Sequence, residues 1–411
     1  MPKNLKILAF SAIGTVLEYY DFVIFIILTP IIAPLFFPAV DPLCSLISSY
    51  AAFAMSFLMR PLGGYVLGAI GDRYGRDRAL VLSISIMGGA TLLMACLPTY
   101  SSIGVLAPIL LIVCRLLQGF SVGGEYSGAA LMIIETAPKD KVFRYAAAIP
   151  MAAVFSVILA GKITELWALD PSSWSWRLPL FFGASIALVG FYLRRSVGHS
   201  LKATHPLETD RSDKTDLLSR EALFNLSLMT LLSGLGVMVY YIFTAYILSF
   251  LTLELGWPKA MAYSYSFWVS VGAFLLMYPI SYCADKWLDP WWIIKWSCVG
   301  LMIMPVPFFY LLTQGGMVWA YLFLPIIVVL FAALVLINPL AAQLFKPRIR
   351  YQAMALSYTV GASVFGGTAP LVNTYLSHKT QMPALAGVYL TLVAAMSLVF
   401  VKKMKGNSKG E

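Results

Sequence analysis

The chain has 411 residues, of which 60% are hydrophobic and only 12% charged. That charged share is about half the usual value for a soluble domain, which excludes a simple globular protein and points to a bilayer. The formal net charge of +10 raises nucleic acid as a partner, so the placement of the basic residues has to decide that question.

Apolar stretches long enough to cross a bilayer recur along the chain. The first six lie near 9–37, 45–70, 79–98, 103–136, 144–166 and 176–193. No small-residue cleavage site follows the first, so it is expected to be a retained span and not a removed signal peptide. A polar segment, "RRSVGHSLKATHPLETDRSDKTDLLSRE", then runs from Arg194 to Glu221. Six further apolar stretches follow near 222–254, 260–284, 291–312, 317–345, 352–376 and 383–401. The predicted fold is an all-α membrane protein with twelve transmembrane helices. Two pseudo-symmetric six-helix bundles, 1–193 and 222–401, are joined by a linker, 194–221, and followed by a tail, 402–411.

With the N-terminus placed in the cytoplasm, the inner loops collect Lys3, Lys6, Arg73, Arg76, Arg78, Lys139, Lys141 and Arg144. The basic residues of the linker and tail join them, with Lys286, Lys346, Arg348 and Arg350. The outer loops keep Lys259 and Lys379, with Lys162 and Arg177 at their edges. This is the positive-inside pattern with both termini cytoplasmic. The basic excess is therefore topology, and no nucleic-acid partner is predicted. The three His and five Cys are scattered, with no C-x-x-C pair or His cluster, so no metal site is predicted either.

The halves repeat. "GAIGDRYGRDRA" follows span 2 and "SYCADKWLDPWW" follows span 8, with Asp72 and Asp285 in matching places. "ETAPKDKVFRYAAA" follows span 4 and "AQLFKPRIRYQAMA" follows span 10, where Arg144-Tyr145 matches Arg350-Tyr351. Paired halves of this kind are the trace of a transporter built from repeats. The nearest string to an ATP-binding loop is "GASVFGGT", which lacks the lysine and lies within an apolar span. Its glycines are expected to permit close helix contact. No cofactor is predicted, and the driving force is expected to be a proton gradient.

"RPLGGYVLGAIGDRYGRDRAL", "RLLQGFSVGGEYSGAALMIIETAP", "SWRLPLFFG" and "FGGTAPLV" resemble the metabolite–proton symporter branch of the major facilitator superfamily. That branch includes carriers of proline and betaine, 2-oxoglutarate, shikimate and citrate. The resemblance covers nearly all spans. It implies the major facilitator fold, a central cavity lined by spans 1, 4, 7 and 10, and uptake coupled to protons. It also implies a cavity-side arginine in span 4, at Arg115, tied to that coupling. The chain departs from the branch at Phe25, where a tyrosine is usual, in "RRSVGHS" after span 6, and in "ADKWLDPWW", which lacks the glycine and arginines of its first-half counterpart. With the tail after Val401 as short as it is here, the coiled coil of some osmolyte carriers is not expected.

Charges inside a membrane usually face a cavity or a partner, because each costs about 2.5–3.5 kcal/mol at mid-bilayer. Glu18 and Asp21 share a helix face that Phe22 and Phe25 continue. Such a pair suits proton exchange as one coupled unit, or substrate contact; a salt link to a neighbouring arginine is the structural alternative. The Arg115 guanidinium suits a substrate carboxylate or an ion pair with Glu18 or Asp21, and alternation between the two would link substrate to proton. Gln118 lies one turn on and is placed to orient it. Glu125, about 15 Å further along at 1.5 Å per residue, is a candidate proton relay or structural pair. Gly124 and Gly128 beside it form a small-residue seam.

Candidate substrate contacts also include Tyr19, Lys162, Tyr240, Tyr241 and Asn338. A cage of Tyr240, Tyr241 and Tyr246 rings would suit a quaternary amine. Asn338-Pro339 is a candidate kink, since Pro frees a backbone carbonyl. Gating is assigned to Arg60, Asp72, Arg73, Gly75, Arg76, Glu135, Arg144 and Arg350 at the cytoplasmic ends. There a glycine turn and arginines that pair between bundles would make and break links.

The expected function is proton-coupled import of a small carboxylate-bearing or zwitterionic metabolite by alternating access. The expected protein is a lipid-embedded, non-enzymatic monomer of a bacterial inner membrane. Two alternatives remain: export of an amphipathic compound by proton antiport, and import of a larger polycarboxylate such as a siderophore.

Overall fold

The structure, a computed structural model, describes residues 3–74, 76–122, 125–168, 174–197, 219–347 and 349–407. These residues form helical rods joined by short turns, and no strand occurs among them. In chain order the rods are α1 Lys3–Phe36, α2 Pro42–Ile70, α3 Arg76–Cys96, α4 Leu106–Thr136, α5 Val142–Trp167 and α6 Leu178–Val197. There follow α7 Arg220–Glu254, α8 Lys259–Lys286, α9 290–315, α10 Met317–Leu344, α11 350–380 and α12 Pro383–Met404. Eight rods are each long and apolar enough to cross a bilayer, and α9 makes a ninth as a bent pair. In α3 the apolar stretch is shorter, Val81–Cys96.

Local chemistry sets the rod ends. Asp41 precedes Pro42 and its side chain accepts the Leu43 N–H at 2.9 Å, starting α2. Asp289 before Pro290 does the same for α9 through the Trp291 N–H at 3.0 Å. Proline at the first helical position loses nothing, because its N–H would have no partner there, and an Asp cap supplies an acceptor for the next one. Ser219 caps α7 through the Ala222 N–H at 3.2 Å. The predicted linker is thus shortened at both ends, because α6 continues to Val197 and α7 begins at Arg220.

Proline also explains the breaks. The predicted single span 291–312 is two helices, Pro290–Ile303 and Pro305–Gly315, bent by 44°. Pro305 has no N–H for the Leu301 carbonyl and the helix yields there. In α10 a 3-10 turn at Leu334–Leu336 precedes Asn338-Pro339, where Pro339 leaves the Val335 carbonyl without its helical donor. α7 is widened by π-turns at Ile242–Tyr246 and Phe250–Glu254, and α11 by one at Ala362–Gly366.

The packing is a repeat. In the first half, α1 packs along α5, α2 along α4 and α3 along α6. In the second, α7 packs along α11, α8 along α10 and α9 along α12. Shifting each number by six turns one set into the other. The two main contacts between halves, α5 with α8 and α2 with α11, also exchange under that shift. This is the internal symmetry that the paired loop sequences predicted.

Close approach at α7 and α11 uses the glycines of "GASVFGGT". A Cβ on Gly361 would lie only 2.3 Å from the Thr230 carbonyl oxygen. One on Gly367 would lie 2.4 Å from the Phe57 ring of α2. The expected seam at Gly128 is looser, since a Cβ there would meet Tyr351 at an ordinary 3.5 Å. Gly124 lies outside the described residues.

In the apolar stretch of α1, 89% of residues are buried inside the protein, so polar groups on this rod meet protein and not lipid. The outer faces carry exposed Leu92, Ile109, Leu188, Leu275, Val329 and Leu392, the surface a bilayer requires. Exposed Trp287, Trp292 and Trp296 cluster at the α8–α9 turn, as expected at a membrane–water boundary.

Candidate functional site: a tyrosine-lined cavity backed by buried arginines

Five tyrosines from α1, α4, α7 and α11 meet at the centre of the bundle. The Tyr19 and Tyr358 hydroxyls are 2.6 Å apart. Tyr126 stacks on Tyr358 with ring centroids 4.3 Å apart and takes a hydrogen bond from Asn338 Nδ2 at 3.0 Å. Tyr240 meets Tyr241 edge-on at 5.0 Å and donates its hydroxyl to the Ala153 carbonyl at 3.1 Å. The cavity they line measures about 80 Å³. That is room for several waters or a small solute. Ring faces attract cationic groups, and hydroxyls can donate to an anion or accept from an ammonium.

Two arginines lie beside this cavity. Arg115 is fully buried on α4. Its guanidinium sits over Phe25 at 4.3 Å, Phe22 at 4.8 Å and Phe53 at 5.2 Å. Nη1 donates to Gln118 Oε1 at 2.5 Å, while Nε and Nη2 have no hydrogen-bond partner. Gln118 is held by Thr91 Oγ1 at 2.8 Å and reaches the Asp21 backbone carbonyl at 3.5 Å. Arg60 on α2 lies over Phe57 at 4.0 Å and over the same Phe22 ring at 4.5 Å, with its Nε also unpartnered. It is within electrostatic reach of Tyr19, Tyr241 and Tyr358. Neither arginine forms an ion pair among the described residues. Buried cations without an acid are costly, and cation–π contacts worth about 2 kcal/mol each offset only part of that.

The sequence-predicted residues separate accordingly. Tyr19, Tyr240, Tyr241 and Asn338 line the cavity. Arg115 and Gln118 stand behind the ring layer of Phe22, Phe25 and Phe53. Phe25, the departure from the tyrosine of the resembling branch, is one of the rings under Arg115. Asp21 is buried and its Oδ1 has no hydrogen-bond partner. That oxygen points at Gly183 of α6, where a Cβ would come within 2.5 Å of it. The expected ion pair of Asp21 with Arg115 is therefore absent from this arrangement: the acid faces α6, while Phe22 and Phe25 turn to the arginine. Glu18 is half-buried and engaged with a partner. Lys162 is directed away from the cavity, paired with Glu165 at 2.7 Å and set over Phe267 at 4.5 Å. Tyr246 packs instead against Tyr50, Phe250 and Phe309, so the cage drawn with Tyr240 and Tyr241 does not form.

Among the gating candidates, Arg144 pairs with Asp285 at 2.8 Å, and Asp285 also accepts the Phe143 and Arg144 N–H groups at 3.0 and 3.1 Å. Arg350 lies 3.8 Å from Glu135 and donates to the Phe345 carbonyl at 3.2 Å. Both ion pairs tie the first half to the second at the end where α1 begins. Arg73 is exposed beside the Tyr74 ring at 5.4 Å. Gly75 and the side chains of Asp72, Arg76 and Glu125 lie outside the described part of the structure. Arg60 belongs with the cavity, not with the loop.

The opposite end is linked as well. Tyr50 donates to Ser249 at 2.6 Å, Tyr263 to the Ile27 carbonyl at 2.9 Å, and His378 meets Asp41 at 2.5 Å. Sequence reasoning missed these, and missed Tyr126 and Tyr358. Tyr126 follows Glu125 in "GGEYSG", where the charge is the stronger sequence signal. Tyr358 had only its place in an apolar span, which gives no sign of which face meets the cavity.

Comparison with known proteins fits this architecture. The Major Facilitator Superfamily profile matches residues 11–370, and the chain belongs to that family of membrane transporters. It is similar to the proline/betaine transporter of Escherichia coli K12, with 28% identity over 97% of this chain and 83% of the relative. It is similar to the shikimate transporter of the same strain at 29%, over 95% and 93%. The inner membrane metabolite transport protein YhjE, also of that strain, is 30% identical over 96% and 92%. Among solved structures, the xylose transporter XylE from E. coli in a partially occluded inward-open form gives a TM-score of 0.72 at 15% identity, over 97% of each chain. The proton:xylose symporter XylE bound to 6-bromo-6-deoxy-D-glucose gives 0.75 at 16%, over 98% and 95%. At such identities the structural likeness speaks for the fold.

Proposed function

We propose that the chain imports a small carboxylate-bearing or zwitterionic metabolite together with protons, by alternating access. The observation that carries this reading is Arg115: a fully buried guanidinium with free donors and, among the described residues, no acid paired with it, one ring layer from a tyrosine-lined cavity. A substrate carboxylate supplies the missing anion, by way of a shift of the Phe22 or Phe25 ring, and Arg60 adds to the same positive potential. The tyrosine rings receive the cationic end of a zwitterion. Relatives named for proline, betaine and shikimate transport all handle carboxylates, which agrees with an arginine-centred site.

Asp21 is the proton carrier in this account. Its unpartnered oxygen lies out of water, and a proton there cancels a buried charge. The Gln118 bridge between Arg115 and the Asp21 backbone gives the two sites a physical connection. Links at both ends describe a closed intermediate, from which opening either end requires breaking a short set of polar contacts. The protein works as a monomer embedded in lipid in a bacterial inner membrane. Both termini lie in the cytoplasm, on the side of the basic loops. No cofactor supplies the driving force, and the proton gradient drives the cycle. The small cavity favours a small solute over a siderophore-sized polycarboxylate.

The binding half is tested by thermal-shift titration of the purified protein with proline, glycine betaine and shikimate. A ligand of the folded state raises the midpoint of wild type, and Arg115→Gln removes the rise. A rise of equal size in Arg115→Gln contradicts a carboxylate site built on this arginine.

A further inference from the structure

Outside the cavity, the side chains of Asp41, Cys44 and His378 converge. One ligand-capable atom from each lies within 4.8 Å of the others. Asp41 and Cys44 open α2 in the first half, and His378 lies in the last turn of α11 in the second. In sequence the histidine is 337 residues from the aspartate, which is why no ligand spacing was visible.

We propose that Asp41, Cys44 and His378 form a transition-metal site of the zinc class that ties α2 to α11. The donor set is one carboxylate oxygen, one thiol sulfur and one imidazole nitrogen, the mixture that a borderline-soft, tetrahedral ion takes. The carboxylate is oriented for the task. Its Oδ1 is occupied by the Leu43 N–H at 2.9 Å, which leaves Oδ2 facing His378 Nε2 at 2.5 Å. A hydrogen bond behind a ligand fixes its direction and is what metal sites use to hold their first ring of ligands.

Cys44 stands one helical turn from Asp41, with its N–H on the Asp41 carbonyl at 3.0 Å, and is a free, exposed thiol. Binding releases the Cys44 thiol proton to solvent and places the thiolate on the metal, while the proton between His378 Nε2 and Asp41 Oδ2 moves to Nδ1 or leaves to solvent, which frees Nε2 and Oδ2 for the metal. Three protein ligands leave the fourth position to water. The bound ion holds this end of the two halves together, because Asp41 and Cys44 belong to one half and His378 to the other. It therefore stabilises the closed arrangement in proportion to its preference for it.

The test uses the full chain in detergent with Co²⁺ as the spectroscopic probe and Zn²⁺ as competitor. Wild type is expected to show the thiolate-to-cobalt absorption of a tetrahedral site, with one ion per chain, displaced by Zn²⁺. Cys44→Ser removes the thiolate band, and His378→Ala weakens Zn²⁺ binding by at least about tenfold. Cys96→Ser, at another exposed cysteine, changes neither. The metal-free thermal midpoint of each variant shows that it is folded. An unchanged band in Cys44→Ser, or Zn²⁺ affinity unmoved in His378→Ala, overturns the site, as does the absence of a tetrahedral spectrum in wild type. None of these readouts depends on what the transporter carries.

Discussion

Arg115 concentrates the physical argument. A guanidinium without an acid partner is a poor way to stabilise a protein, since removing a cation from water costs several kcal/mol. Contacts with Phe22, Phe25 and Phe53 recover part of this, and the rest is a standing cost. Replacing Arg115 by methionine should therefore leave the thermal midpoint at or above that of wild type while abolishing substrate transport. A fall in midpoint would show that the arginine is structural. The residue was visible in sequence as a charge in an apolar span, and so were Glu18 and Asp21. Their facing was not. A helix face shared by Asp21, Phe22 and Phe25 on a wheel is wide enough for the acid to meet α6 while the rings meet α4. Which neighbour lies on which side is decided by packing between distant rods.

At the scale of elements, close helix contact is set by glycine. Gly361 has the Thr230 carbonyl where a Cβ would go, whereas Gly68 has nothing within 4 Å. Gly361→Ala should lower the stability of the folded protein by about 1–3 kcal/mol, as overpacking does, and Gly68→Ala should not lower it. Thermal midpoints of the two variants check the contrast; equal effects would mean that the α7–α11 contact relaxes easily. The apolar spans and their order were legible in the sequence because bilayer length and hydropathy are local properties. The Asn338-Pro339 signal was likewise local, and the 3-10 turn ahead of it follows from the carbonyl that Pro339 cannot serve. The π-turns in α7 and α11 carried no such signal.

Over the whole molecule, the two halves meet through α2 with α11 and α5 with α8, and polar links close both ends. Asp285 is the most heavily used of these, taking the Arg144 side chain and two backbone N–H groups. Asp285→Asn keeps the size but loses the charge-assisted bonds, and should shift the population toward the form open at that end. Spin labels on the α4–α5 and α8–α9 turns would report this as a longer mean distance. An unchanged distance would mean that the pair is not a latch. The repeat of "FRYAAA" and "IRYQAMA" identified Arg144 and Arg350 as equivalent, but their acids, Asp285 and Glu135, come from the last turns of α8 and α4, which only the assembled bundle brings near.

In the proposed cycle a buried acid on α1 couples solute movement to protons. This coupling is tested most directly in proteoliposomes, by following uptake of whichever carboxylate solute stabilises the purified protein, under an imposed inward proton gradient. Wild type should accumulate the solute above equilibrium. Asp21→Asn should exchange solute across the membrane but fail to concentrate it. Gradient-driven accumulation that survives in Asp21→Asn would contradict the account.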